Sequence, residues 1–242
     1  MSDSVDRRRR RFCGGCLSAA ALAGGMPVTG WGARGPLTSY PSARLVDRHG
    51  KPVRLSALKA DTSYVFSYPF VATPCFLLDL GRPLQGGVEL ETRDGDPYRW
   101  QGGIGPRRSV VAFSAICSHR MTHPSRQVSF INYRPPESEP GPSGVGVIHC
   151  CSENSIYDPA TGARVLSGPA PEPLAAIALD YDPDSDSMSA VGAYGGTLFQ
   201  QFLDKFGSRL ALEYGGSRFS APAGKATTVM TLEEFSRVQT HC

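Results

Sequence analysis

Glycine and proline cut this chain so finely that little besides short strands fits between them. The 242 residues include 27 Gly and 20 Pro. Proline lacks the amide donor that a helix interior needs, and glycine loses the most backbone freedom on ordering, so both end regular structure. Between them lie short β-branched or aromatic runs: Tyr64–Tyr68, Cys75–Leu80, Ser109–Ile116, Val145–His149 and Ala175–Tyr181. Each is bounded by Gly, Pro, Asp or Ser, the pattern of strands joined by turns. After the turn Asp182–Asp186, whose Pro and Asp suit a reversal, Ser187–Tyr194 is expected to return as a strand. The expected class is all-β. Two stretches depart from it. Asn132–Gly146 is rich in Pro, Gly and Ser and reads as an insertion loop. Leu198–Phe206 carries apolar residues at helical spacing and reads as a short amphipathic helix. Thr231 followed by Glu234 has the form of a capping box for a last helical turn. A hydrophobic share of 40% is enough for the core of one large domain or two small ones, and 19% charged residues argues against a coiled coil.

The formal net charge of +3 sits at one end. Arg7 to Arg11, set against Asp3 and Asp6, account for all of it, and the rest of the chain is formally neutral. A neutral body has no electrostatic footprint for a phosphate backbone, so nucleic acid is not an expected partner. The basic segment leads into Phe12–Val28, a small-residue apolar run too rich in glycine to span a membrane. Residues 1–34 therefore read as an export signal and linker, the alternatives being a basic tail or a retained amphiphilic anchor. Arg9-Arg10-Arg11-Phe12 resembles the twin-arginine consensus. That resemblance implies export to the periplasm of an already folded protein, with any membrane contact made through this N-terminal segment. Cys16 precedes the apolar run, which does not suit a lipid-modified cysteine.

Residues that carry chemistry gather in two segments, each directly after an apolar run. The first is Ile116-Cys117-Ser118-His119; the second runs from His149 through Cys150, Cys151, Glu153, Asn154, Ser155 and Tyr157 to Asp158. Strand ends hold ligands stiffly, and the loops beyond them can wrap a metal centre. Gly162 and the rigid turn Gly168-Pro169-Ala170-Pro171 follow. In this order the chain resembles the Rieske iron–sulfur domain: Cys-x-His on one loop, Cys-x-x-His on the next, then Ser-x-Tyr/Phe-Asp, a Gly, and a Gly-Pro-Ala-Pro loop. The resemblance covers roughly residues 40–195, with the cluster-binding part at about 113–172, and leaves 196–242 as a C-terminal extension with a short helix. Tyr68-Pro69, the Val-Val-Ala-Phe-Ser run before Cys117 and the export signal are together similar to the small subunit of arsenite oxidase.

The resemblance implies an antiparallel β-sandwich or barrel bearing a [2Fe–2S] cluster on two loops. Cys117 and Cys150 would be the thiolates of the inner iron and His119 an imidazole of the outer one. Ser155 and Tyr157 would give hydroxyl hydrogen bonds to the reduced cluster, and the loop containing Gly168 and Pro169 would shield it. The fourth ligand departs from the pattern, because the position of the second His holds Glu153; counted from Cys151, that place falls on Asn154. A carboxylate is a harder, anionic donor and would lower the potential relative to imidazole. Cys151, His123 and His149 are the other candidate donors, although adjacent side chains such as those of Cys150 and Cys151 diverge in extended backbone. Thr122 and Ser152 stand where quinol-oxidising members carry an extra cysteine pair, which argues against that role and leaves the loops to be tied by hydrogen bonds.

The implied function is one-electron transfer, as a non-catalytic small subunit or partner of a periplasmic oxidoreductase, handing the electron to a cytochrome or similar carrier. The alternative is a binding or assembly module that keeps the fold without a cluster. A complete Rieske oxygenase would need a second iron site with two His, and His241 is the only His beyond Asp158. Cys75 reads as a core thiol, and Cys75 and Cys242 as free thiols or a pair. Arg107-Arg108 reads as a solvated turn.

Overall fold

The computed structural model describes residues 37–242. The basic segment and the Phe12–Val28 run lie outside the described residues. In chain order the strands are β1 (Thr38–Val46), β2 (Tyr64–Ser67), β3 (Pro74–Asp79), β4 (Val88–Glu91), β5 (Pro97–Trp100) and β6 (Val110–Ser114). Then come β7 (Val128–Ser129), β8 (Ile131–Arg134), β9 (Val147–Cys150), β10 (Ser155–Asp158) and β11 (Arg164–Ser167). The last part holds β12 (Ile177–Asp182), β13 (Ser187–Ala193), α1 (Leu198–Tyr214), β14 (Ala226–Thr228), β15 (Met230–Thr231), α2 (Leu232–Phe235) and β16 (Val238–Gln239). The protein is all-β with a short helical part near its C-terminal end.

Three four-stranded sheets carry the architecture, in the orders β12-β13-β1-β14, β15-β2-β3-β6 and β11-β10-β9-β8. Their pairings are antiparallel apart from β1 with β14. A hairpin, β4–β5, and the short parallel pair β7–β16 complete the set. The middle sheet is buried on both faces, which is why β3 as far as Leu78 and β6 as far as Phe113 are continuously apolar where most half-exposed strands alternate; buried Asp79 at the end of β3 is paired with Arg107 at 2.8 Å. Along β3, Cys75 and Leu77 face one core while Phe76 and Leu78 face the other. Along β6, Val110 and Ala112 face the first core, and Val111 and Phe113 the second. The Val, Leu and Phe side chains among them, taken fully out of water, contribute roughly 1.5–3 kcal/mol each. The first core is shared with β1, β13 and one face of α1; the second takes Tyr98 and Trp100 from the hairpin and Ile131, Ile148 and Tyr157 from the third sheet.

The six expected strands appear as β2, β3, β6, β9, β12 and β13, with ends moved by a residue or two. The Asn132–Gly146 loop starts later than its composition suggests. Asn132, Tyr133 and Arg134 belong to β8, paired with His149, Ile148 and Val147 of β9, because the Tyr133 ring has a place in the second core. The expected helix at Leu198–Phe206 runs on to Tyr214. Gly207 costs a helix interior only about 1 kcal/mol, and buried Leu210 continues the apolar stripe until Gly215, at φ +76°, ends it. The Thr231–Glu234 capping box is present at α2. Residues 196–242 are woven into the rest: β14 joins the first sheet, β15 the middle one, β16 pairs with β7, and α1 fills the first core.

Candidate functional site

Two strand ends bring two thiols together under the surface. Beyond β6 the chain continues through buried Ala115 and Ile116 to Cys117, where a tight turn closes with Met121 N–H donating to Cys117 O (2.9 Å) and Cys117 N–H to Thr122 O (2.8 Å). At the end of β9, Cys150 opens a second turn, closed by Glu153 N–H to Cys150 O (3.4 Å) and by Asn154 in the left-handed region at φ +55°. Cys117 and Cys150 are both buried free thiols, near enough that each shifts the other's protonation. Tyr157, fully buried on β10, places Oη 3.2 Å from Cys117 Sγ and 3.3 Å from Ser118 Oγ. Ser118 in turn donates to the carbonyl of Glu172 (2.7 Å), which ties the segment after Pro171 to the first loop.

These contacts separate the two thiols electrostatically. The hydrogen bond from Cys150, then that from Tyr157, pull Cys117 from its ordinary value down to about 6 against the cost of burial. Cys150 keeps the shared proton beside that sulfur and is pushed well up, burial adding to the effect. Burial and the adjacent Cys117 likewise push Tyr157 upward, so its hydroxyl stays a donor. One sulfur of the pair is thus prepared to carry negative charge without a cation beside it.

Above the thiols, at the loop tips, His119 Nδ1 lies 3.9 Å from Glu153 Oε2, and Arg120 Nη1 lies 3.5 Å from Glu153 Oε1. The His119 and Glu153 side chains are each about a quarter exposed. His119 Nδ1 and Ser155 Oγ are buried with no hydrogen-bond partner, a costly state that marks a missing neighbour rather than a finished core. The arrangement is two sulfurs inside and one nitrogen with one carboxylate outside. Among the described residues no three or more His, Cys, Asp or Glu side chains converge closely enough to hold a single metal ion. A two-and-two set suits a binuclear group, and soft thiolates with an imidazole suit iron–sulfur chemistry; on these grounds the residues present fit a [2Fe–2S] cluster.

The other candidate donors are placed elsewhere. Cys151 is bonded to Cys242 as a disulfide, with Cα atoms 5.5 Å apart, and so is not available as a thiolate ligand. Its side chain leaves the strand on the opposite face from Cys150, as alternation requires. The pairing also corrects the expectation for Cys75 and Cys242: Cys75 is a buried free thiol, pushed well up by burial, with Sγ 3.0 Å from Tyr68 O. His149 faces the Cys151 side, its Nδ1 3.0 Å from Glu139 Oε2. His123 is packed edge-on between Phe202 and Phe206 of α1. Gly168, at φ +89°, lies against the second loop so closely that a Cβ there would meet Asn154 O and the Ser155 Cα; Pro169 beside it is exposed. Ser118, Arg120 and the Glu172 carbonyl were not among the expected site residues. Ser118 had a signal of a kind, lying between Cys117 and His119; the other two act through three-dimensional proximity alone.

No family model matches the chain. Among solved structures it is similar to the soluble domain of the Rieske protein II (SoxF) from Sulfolobus acidocaldarius, at 28% sequence identity over 65% of this chain and 81% of that one. The TM-score is 0.44.

Proposed function

We propose that this chain is a Rieske-type protein that moves one electron at a [2Fe–2S] cluster held by Cys117, Cys150, His119 and Glu153. The observation that carries this reading is the pair of buried free thiols from two loops, lying below a His–Glu pair and beside two unpartnered buried polar atoms. When bound, such a cluster supplies a one-electron carrier whose potential rises as imidazole replaces thiolate on one iron. The chain's own residues do the rest. Cys117 accepts hydrogen bonds from Tyr157 and the backbone, and these tighten when negative charge grows on its sulfur. Gly168 lets the Pro169–Pro171 segment run directly against the second loop at Asn154 and Ser155. Glu153, held by Arg120, adds one negative charge where relatives of this type have a neutral ring, and so biases the centre toward a lower potential.

In this reading the chain is exported through its N-terminal segment and serves as a small subunit or partner of a periplasmic oxidoreductase, of the arsenite oxidase kind. Assembly under anaerobic conditions is expected to give about two irons and two sulfides per chain and an EPR signal after dithionite reduction. A chain that takes up neither under those conditions is the cluster-less module. That second reading draws on the contact of Glu153 with Arg120, which gives the carboxylate a partner within the chain.

A further inference from the structure

On the far face of β8 and β9 from the thiol pair lies a second sulfur site. Asn132, Arg134, His149 and Cys151 point the same way there, covered by the 238–242 segment. Asn132 Nδ2 donates to Thr240 O at 2.8 Å, and Thr240 N–H to Ser129 O at 2.9 Å. The Arg134 guanidinium, its side chain only 9% exposed, is aimed at the Cys151–Cys242 bond: Nη2 is 2.9 Å from Cys151 Sγ and 3.2 Å from Cys242 Sγ. His149 Nε2 is 3.4 Å from Cys242 Sγ. Glu139 balances the charge, 3.0 Å from both Arg134 Nη1 and His149 Nδ1. Arg134 Nη1 also donates to Cys242 O at 3.0 Å, so it is Nη2 that is left to the sulfurs; sulfur in a disulfide is a weak acceptor for it, whereas a thiolate released from one is a strong one.

We propose that Cys151–Cys242, seated on Arg134, is a thiol–disulfide exchange site for a dithiol reductant, and that its redox state sets how firmly the Cys150–Asn154 loop is held. Cys242 is exposed and Cys151 half-buried, so the incoming thiolate attacks Cys242 Sγ. The Cys151–Cys242 bond breaks and its electron pair leaves on Cys151 Sγ, the sulfur nearer Arg134. The reductant's second thiol then attacks the mixed disulfide and frees Cys242. The protein gains two electrons and two protons, both protons coming from the dithiol, which ends as a disulfide. Cys151 is bonded directly to Cys150, so the bond also anchors the second thiol-bearing loop to the 238–242 segment. After reduction that loop keeps the Cys151 N–H bond to Phe130 O (2.7 Å) but loses its covalent tie. The effect of the loop on electron transfer rests on the function proposed above; the exchange chemistry does not.

The test uses the oxidised full chain in iron-free form, treated with dithiothreitol without denaturant, with alkylation of Cys151 and Cys242 followed by mass spectrometry. Reduction is expected to proceed while buried Cys75 stays unlabelled. Arg134→Met is expected to slow it about tenfold or more, on the scale of a lost charge-assisted hydrogen bond, and Arg134→Lys to recover most of the rate. In Cys242→Ser, amide exchange at Ser152–Asn154 is expected to rise about tenfold while β3 and β6 stay protected. A disulfide that opens only on unfolding, equal rates in Arg134→Met and the parent, or unchanged exchange in Cys242→Ser would overturn the proposal. These readouts need no iron, so a chain that fails to assemble a cluster leaves them standing, and a chain that assembles one with an inert disulfide defeats this proposal alone.

Discussion

Tyr157 is fully buried, and its hydroxyl lies against Cys117 Sγ and Ser118 Oγ. A buried donor in that position strengthens as charge accumulates on the sulfur, so its worth is read in the potential more than in stability. If the bond gains about 1.4 kcal/mol on reduction, Tyr157→Phe lowers the one-electron potential by about 60 mV; EPR-monitored redox titration measures it, and an unchanged potential would place the hydroxyl outside the reduced centre's reach. Glu153→His acts in the other direction. Replacing an anionic donor by a neutral ring is expected to raise the potential on the order of 100 mV, in the same titration. At this scale the sequence was informative where spacing is local. Ser155 and Tyr157 lie two residues apart on β10, and Cys117 and His119 two apart in one tight turn, so the joint placement of each pair follows from local backbone geometry. Cys151 with Cys242 was not legible, since a partner 91 residues away leaves no local mark.

Among the elements, α1 does more than its amphipathic pattern announced. Beside filling the first core it grips the first loop: Lys205 Nζ donates to Arg120 O at 3.1 Å, and the His123 ring sits between Phe202 and Phe206. Burial holds His123 below its ordinary value, with Arg209 adding to the shift and the Met121 carbonyl and Glu213 opposing it. A base that binds its proton less well folded than unfolded withdraws stability as pH falls, because the unfolded chain takes up the proton near pH 6.5 and the folded one does not. The contribution is intact above that pH and declines below it, toward the depressed folded value. His123→Leu is therefore expected to flatten the fall in Tm between pH 6.5 and 5 relative to the parent; an identical slope would show that other groups govern acid lability. The helix itself was legible from its apolar spacing, but its last eight residues were not, since only tertiary burial of Leu210 tells a tolerated glycine from a stop. The strands of the third sheet were partly hidden for a similar reason: β8 and β11 mix charged residues with apolar ones, and their order depends on partners distant in sequence.

In the whole molecule, one sheet serves two cores, and this makes the thiol site depend on packing on both sides. Leu77 and Phe113 lie on neighbouring strands, β3 and β6, yet face opposite cores. Leu77→Ala is expected to cost about 2–5 kcal/mol and Phe113→Ala about 3–5 kcal/mol, each a large share of the roughly 5–15 kcal/mol that holds a domain together. Because β3 and β6 belong to both cores, neither substitution can loosen one core and leave the other intact. Trp100 reports the second core and the ellipticity of α1 the first, so in a Trp31→Phe background the fluorescence and far-ultraviolet urea transitions should share one midpoint, shifted together by either substitution. Separate midpoints would mean that the cores melt independently. In that case Cys117 and Cys150, which line the second core, would keep their geometry after the first core and α1 had come apart.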